Sequence, residues 1–182
     1  MPPKLKREKA GPVRIAMLDI ETTGLEASFG RLVCVCFKFT DEEKPRTIKV
    51  RYYRNEAKAL ETITKFYNEA DIVCTWNGKL FDIPFLNGRL MHHGMAPLDP
   101  KMHMDLMYQA RKLRLRGSRL DNVSKDFHTN TRKYDVPAWR WTLAAEGDIK
   151  SIDEIVTHCE LDVLLTEEMM QYLKPLIVRF TR

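Results

Sequence analysis

Three strand-like runs stand back to back in this chain before any helical period appears. "RIAMLDIET" from Arg14, "RLVCVCFKF" over Arg31 to Phe39, and "TIKVRYY" beyond the charged turn "DEEKPR" carry strand-forming residues between turn signals. Only then does "NEAKALETITKFYNEA", from Asn55, repeat apolar residues at helical spacing, with Ala59, Ile63, Phe66 and Tyr67 on one side. After that, strand and helix alternate. Strands first and together, followed by alternation, predict an α/β architecture with a mixed sheet.

The later segments fill in that order. "DIVCTW" reads as a short buried strand. "FDIPFLNGRLMHHG" suits a helix with Pro84 in its first turn and Gly94 past its end. "KMHMDLMYQARKL" reads as a strand running into a helix, and "SRLDNVSKDF" as a helix starting at Ser118. Residues 129–147, with Trp139 and Trp141, read mostly as loop. "SIDEIVTHCELDVLLTEEMMQYLKPLI" predicts a long terminal helix, broken near its start, with Ile155, Cys159, Val163, Met170 and Leu173 on its apolar side. Residues 1–12 read as a flexible basic tail and 13–182 as one domain, a length that suits a single core.

The basic start lacks the apolar run of a signal peptide, and no stretch reaches membrane-spanning length, so the expected location is the cytoplasm with no membrane partner. Cys34, Cys36, Cys74 and Cys159 form no CxxC pair and read as reduced, partly buried thiols. A zinc site from Cys159, His158 and the His92/His93 pair would match no familiar spacing. The net charge of +5 permits a polyanionic partner without requiring one.

Three acidic stretches carry the chemistry. In "LDIETTG", Asp19 and Glu21 are two apart on a strand, so both leave the same face and repel unless a cation or a proton intervenes. A solvated strand end explains the pair equally well. In "WNGKLFDIPFL", Asp82 opens a helix, where ordinary capping is the competing explanation. In "HCELD", Asp162 lies among Leu161, Val163 and Leu164, and a buried acid there needs a partner. Four convergent oxygen ligands suit two hard cations, Mg²⁺ or Mn²⁺, the arrangement for in-line displacement at phosphorus.

D-x-E, then N-x₃-F-D, then a helical base four residues before Asp resembles the three-motif pattern of the DEDD 3′→5′ exonucleases. "LDIETTGL", "TWNGKLFDIPFL" and "HCELDVLLT" are most similar to the proofreading exonuclease domains of family B DNA polymerases and their stand-alone relatives. "MDLMYQARKL" and "RLDNVSKDF" resemble the segments between the second and third motifs, and the resemblance spans about residues 13 to 175. It implies a ribonuclease H-like fold: a five-stranded mixed sheet with the second strand antiparallel and helices on both faces. It implies Asp19, Glu21, Asp82 and Asp162 as ligands of two divalent cations, and Asn77 and Phe81 as substrate contacts. Phe81 as core packing is the alternative. Thr22, Thr23 and Leu25 are expected to meet the terminal nucleotide through backbone N–H groups. Asp105, between motifs, reads as structural.

One branch of that family places Tyr with three residues before the last Asp, the other His with four between. Here His158 stands with three between. A helical step of four rotates about 40° and a step of five about 140°, so His158 should overlie Asp162 in the seat of the Tyr. Imidazole, with an unperturbed pKa near 6.5, can accept a proton from water at neutral pH. His158 is therefore the expected general base or water-orienting group, packing on the helix being the alternative. "RKLRLRGSR", Arg111 to Arg119, either lines the path of the strand or is a solvated helix end.

The expected activity is metal-dependent release of nucleoside 5′-monophosphates from the 3′ end of single-stranded nucleic acid. DNA comes ahead of RNA by resemblance alone. A binding module of the same fold and an endonuclease are the readings from other classes. With no polymerase domain in the sequence, the enzyme is expected to act alone or with a separate partner, a polymerase or a repair or replication protein.

Overall fold

In the computed structural model the structure describes residues 11–178. Most of the basic tail expected over residues 1–12 lies outside the described residues. The five strands are β1 (Ile15–Thr22), β2 (Leu32–Phe39), β3 (Arg46–Lys49), β4 (Ile72–Thr75) and β5 (Met102–Asp105). Among the described residues the α-helices are α1 (Glu56–Glu69), α2 (Asp82–His92), α3 (Leu106–Arg111), α4 (Leu120–Asp126), α5 (Ala138–Glu146) and α6 (Ile149–Val178).

The strands form one sheet in the order β3-β2-β1-β4-β5. β2 is antiparallel to both β1 and β3, while β4 is parallel to β1 and β5. This is the ribonuclease H-like mixed sheet that the motif order implies. β1 is central because it can be: Ala16, Leu18 and Ile20 face one core, and Met17 faces the other. Alternation along one strand thus serves two layers. α1 and α2 pack on the first face, and α3, α4, α5 and α6 on the second.

Two expectations are corrected. Residues 138–146 form helix α5, not loop. Pro137 precedes it, and Gly147 follows at φ 92°, a left-handed stop that suits glycine. Both signals stand in the sequence, but the apolar stripe is weak, since only Ala144 is fully buried. The terminal helix is also unbroken from Ile149 to Val178, because Ile152, Ile155, Val156 and Cys159 bury its first half.

On the first face, Glu56 is fully buried at the start of α1. It accepts from Leu32 N at 2.8 Å, from Arg89 Nε at 3.1 Å and Nη2 at 2.5 Å, and pairs with His93 Nε2 at 2.9 Å. His92 meets the Tyr53 hydroxyl. These bonds hold His93 to α1 and His92 to the turn before it, so they do not join Cys159, whose thiol donates to Asp19 O at 3.5 Å. All four cysteines are buried and unbridged.

Candidate active site

β1 pairs with β4 only through Ile15, Ala16 and Met17. Asp19 and Glu21 lie beyond that ladder, in the crevice at the carboxyl ends of two parallel strands. On the other side they sit opposite Cys36 and Cys34 of β2, and the register shifts between Glu21 and Thr22. The even-numbered neighbours Leu18 and Ile20 are held in the core, which fixes both acids on the α6 side.

Asp82 is the first residue of α2, yet its side chain does not cap that helix. It reaches across to accept from Ile20 N at 3.1 Å. α6 brings Asp162 to the same place. Asp19 is close enough to Glu21, Asp82 and Asp162 for all three to act on it. Burial, then the neighbouring carboxylates, pushes Asp19 and Glu21 well above the usual carboxylate range. Burial, opposed by backbone N–H groups, pushes Asp82 up to about 7. Such a cluster asks for a cation or a proton.

Lys133 supplies one positive charge. Its Nζ lies 2.5 Å from Asp162 Oδ2. Burial would lower its pKa, but Asp162 above all, then Asp19 and Glu21, hold it above the ordinary lysine value. Among the described residues, two oxygens of the cluster remain buried without a hydrogen-bond partner: Asp19 Oδ2 and Asp162 Oδ1. Ionised oxygens left so are costly unless something positive meets them. The donor set therefore fits a hard divalent cation, which Asp19, Glu21, Asp82 and Asp162 could hold.

His158 sits one helical turn before Asp162, as the spacing predicts. Its Nδ1–H donates to Tyr134 O, which leaves Nε2 facing the acids. Nε2 is 3.5 Å from Glu21 Oε1 and 3.8 Å from Asp162 Oδ2. Trp141 packs edge-on against the imidazole at 6.3 Å between ring centres. The histidine is therefore oriented towards the site rather than simply packed.

A cleft of about 430 Å³ opens beside the acids, lined by Asp19, Asp162, Asn77, Trp76, Lys133 and Arg119 among others. Asn77 adopts φ 72°, and Asp105 holds it there: its carboxylate accepts from Asn77 N at 2.9 Å, Lys79 N at 3.1 Å and Met107 N at 3.1 Å. Of the basic stretch, Arg119 reaches this cleft, because Trp76 Nε1 donates to the neighbouring Ser118 O at 2.9 Å. Arg111 instead lies over Tyr108.

The remaining substrate candidates flank the acids. Thr23 and Leu25 line a shallow hollow with Phe29, and Leu25 shares a second hollow with Phe81 and Phe85. Leu25 is 83% exposed and Phe29 88%. Phe81 is half-buried against Phe85, so it packs and also borders open space. The Thr23 N–H is already donated to Arg31 O at 3.0 Å, and the Thr22 hydroxyl to Gly24 O at 2.7 Å. Those bonds shape the turn and leave the Thr23 N–H engaged. Lys133 and Phe29 went unnoticed in the sequence. The first lies in a stretch without periodicity, and nothing but the fold distinguishes it among 30 lysines and arginines.

An α/β sheet of this topology, with four acids gathered at the end of its central strand, defines a ribonuclease H-like protein. A family model of the RNase H superfamily matches residues 16–174, and the chain belongs to that superfamily. Among solved structures, it is similar to the family B DNA polymerase from the hyperthermophilic archaeon Pyrobaculum calidifontis. The TM-score is 0.76 at 18% identity, over 93% of this chain and 25% of the polymerase. This chain thus spans a quarter of that polymerase's length, and the likeness is one of fold. No curated protein matches its sequence. Among the described residues no helix is long and apolar enough to cross a membrane.

Proposed function

We infer that the protein is a 3′→5′ exonuclease of the DEDD type, acting on single-stranded nucleic acid, DNA ahead of RNA. The observation that carries this reading is the convergence of Asp19, Glu21, Asp82 and Asp162 around two buried oxygens unpartnered among the described residues, beside a cleft that Lys133 and Arg119 also line. Two divalent cations, Mg²⁺ or Mn²⁺, held by these acids would supply Lewis acidity and a more acidic water at the phosphate.

The chain's own groups account for the rest. Nε2 of His158 orients the attacking water or takes its proton, since Nδ1 is engaged by Tyr134. Water attacks the terminal phosphorus, the bond to the 3′-oxygen of the penultimate nucleotide breaks, and a nucleoside 5′-monophosphate leaves. Lys133 and Arg119 attract the phosphate backbone. Asn77, Phe81, Leu25, Thr22 and Thr23 border the space for the terminal nucleotide, with Leu25 and Phe81 offering apolar contact to a base. A separate polymerase or repair protein is the partner this activity would serve, in the cytoplasm.

The test is digestion of a 5′-labelled single-stranded DNA oligonucleotide and its RNA counterpart, with Mg²⁺, Mn²⁺ or EDTA. A ladder shortening from the 3′ end, lost in EDTA and in Asp162→Asn, is expected. Internal cuts would point to an endonuclease, and binding without cleavage to a nucleic-acid-binding module. The faster substrate decides the sugar.

A further inference from the structure

Glu21, His158 and Asp162 each present one ligand atom, and the three atoms lie within 4.8 Å of one another. This set differs from the four-carboxylate arrangement because it includes a nitrogen. The imidazole is prepared for coordination in the way metal-binding histidines usually are. Nδ1–H is anchored to a backbone carbonyl, Tyr134 O, and the Nε2 lone pair is presented. His158 and Asp162 form an i, i+4 chelating pair on α6, and Glu21 enters from β1.

The spacing fits a small four-coordinate ion. A tetrahedron with bonds of about 2.1 Å places its donors about 3.4 Å apart. Nε2 is 3.5 Å from Glu21 Oε1 and 3.8 Å from Asp162 Oδ2, both within a few tenths of an ångström of that value. A second observation points to a cation independently of the acids' number. Asp162 is 6% exposed, and its Oδ1 has no hydrogen-bond partner among the described residues.

We propose that Glu21, His158 and Asp162 form a site for a borderline transition-metal ion such as Zn²⁺, with water as fourth ligand, and that filling it silences the nuclease. One imidazole and two carboxylates favour Zn²⁺ over Mg²⁺, which prefers oxygen alone and octahedral geometry. A Zn²⁺ ion would engage the one lone pair that can orient or deprotonate the attacking water. Lys133 opposes it, because its ammonium already holds Asp162 Oδ2. The inhibition rests on the exonuclease reading, whereas the ion binding does not.

The experiment titrates Zn²⁺ calorimetrically into the whole protein in excess Mg²⁺, and records the visible spectrum with Co²⁺ as a probe. Wild type should bind one Zn²⁺ and give the intense absorption of four-coordinate Co²⁺. His158→Ala should bind Zn²⁺ at least about tenfold more weakly, since loss of a mere supporting partner already weakens metal sites by about 10–100-fold. Lys133→Met should bind it more tightly. If His158→Ala fails to fold by circular dichroism, His158→Tyr carries the same comparison. Zn²⁺ affinity unchanged by the histidine variants, or a weak six-coordinate Co²⁺ spectrum in wild type, overturns the proposal. Micromolar Zn²⁺ should also stop digestion in Mg²⁺. Histidine-dependent Zn²⁺ binding in a protein that digests nothing keeps the site and removes the nuclease reading. Digestion alongside Zn²⁺ binding indifferent to His158 does the reverse.

Discussion

Lys133 Nζ stands 2.5 Å from Asp162 Oδ2, so a loop lysine between α4 and α5 neutralises an acid on α6. The pair is mostly buried, at 22% and 8% side-chain exposure. Lys133→Met should lower the stability of the metal-free protein by about 1–3 kcal/mol, between the values for exposed and buried pairs. Mg²⁺ should recover much of that loss by meeting the freed carboxylate. Melting temperatures in EDTA and in Mg²⁺ measure both effects, and equal losses in the two conditions would contradict the account.

The acids make stability depend on pH in an unusual direction. Asp82 is raised to about 7, and Asp19 and Glu21 well above their ordinary values, first by burial. Between about pH 4 and pH 7 the folded protein holds protons that the unfolded chain has released, so stability falls as pH rises. Acids held low, such as Glu56 beside Arg89, have largely lost their protons in both states by the middle of that window. In EDTA the protein should therefore melt lower at about pH 8 than at about pH 5.5. Mg²⁺ should stabilise it more at the higher pH, where cations no longer compete with protons. A melting temperature that climbs with pH in EDTA would refute this.

Glu56 and Arg89 form a buried ion pair, at 0% and 2% side-chain exposure, that joins α1, α2 and the start of β2. Glu56→Ala leaves a buried guanidinium without its main partner. A loss of about 3–5 kcal/mol is expected, read from urea unfolding. Because the pair lies on the face away from His158, the nuclease activity of the folded fraction should be unchanged.

Asp105 places Asn77 through three backbone hydrogen bonds. Asp105→Ala should cost about 2–4 kcal/mol of stability, since bonds to a charged acceptor exceed the ordinary hydrogen bond. It should also raise KM more than it lowers kcat, because Asn77 borders the cleft without joining the acids. Steady-state digestion separates the two constants, and a loss confined to kcat would argue for a direct role in the chemistry.

The sequence by itself determined the order of every strand and of the helices other than α5, the mixed sheet and the positions of the four acids. Period-2 and period-3.6 patterns report burial directly, and short motifs carry their spacing with them. Asp19 and Glu21 on one strand face, and His158 one turn from Asp162, follow from local geometry alone. The tertiary structure decided what depends on contacts distant along the chain. It turned Asp82 from a helix cap to Ile20 N, and it placed Lys133 on an acid 29 residues away. It also set the imidazole through Tyr134 O and revealed α5, whose stability comes from packing on α6 more than from its own pattern. Neither a lone lysine nor a backbone carbonyl has periodicity, so only the folded chain shows which charge meets which.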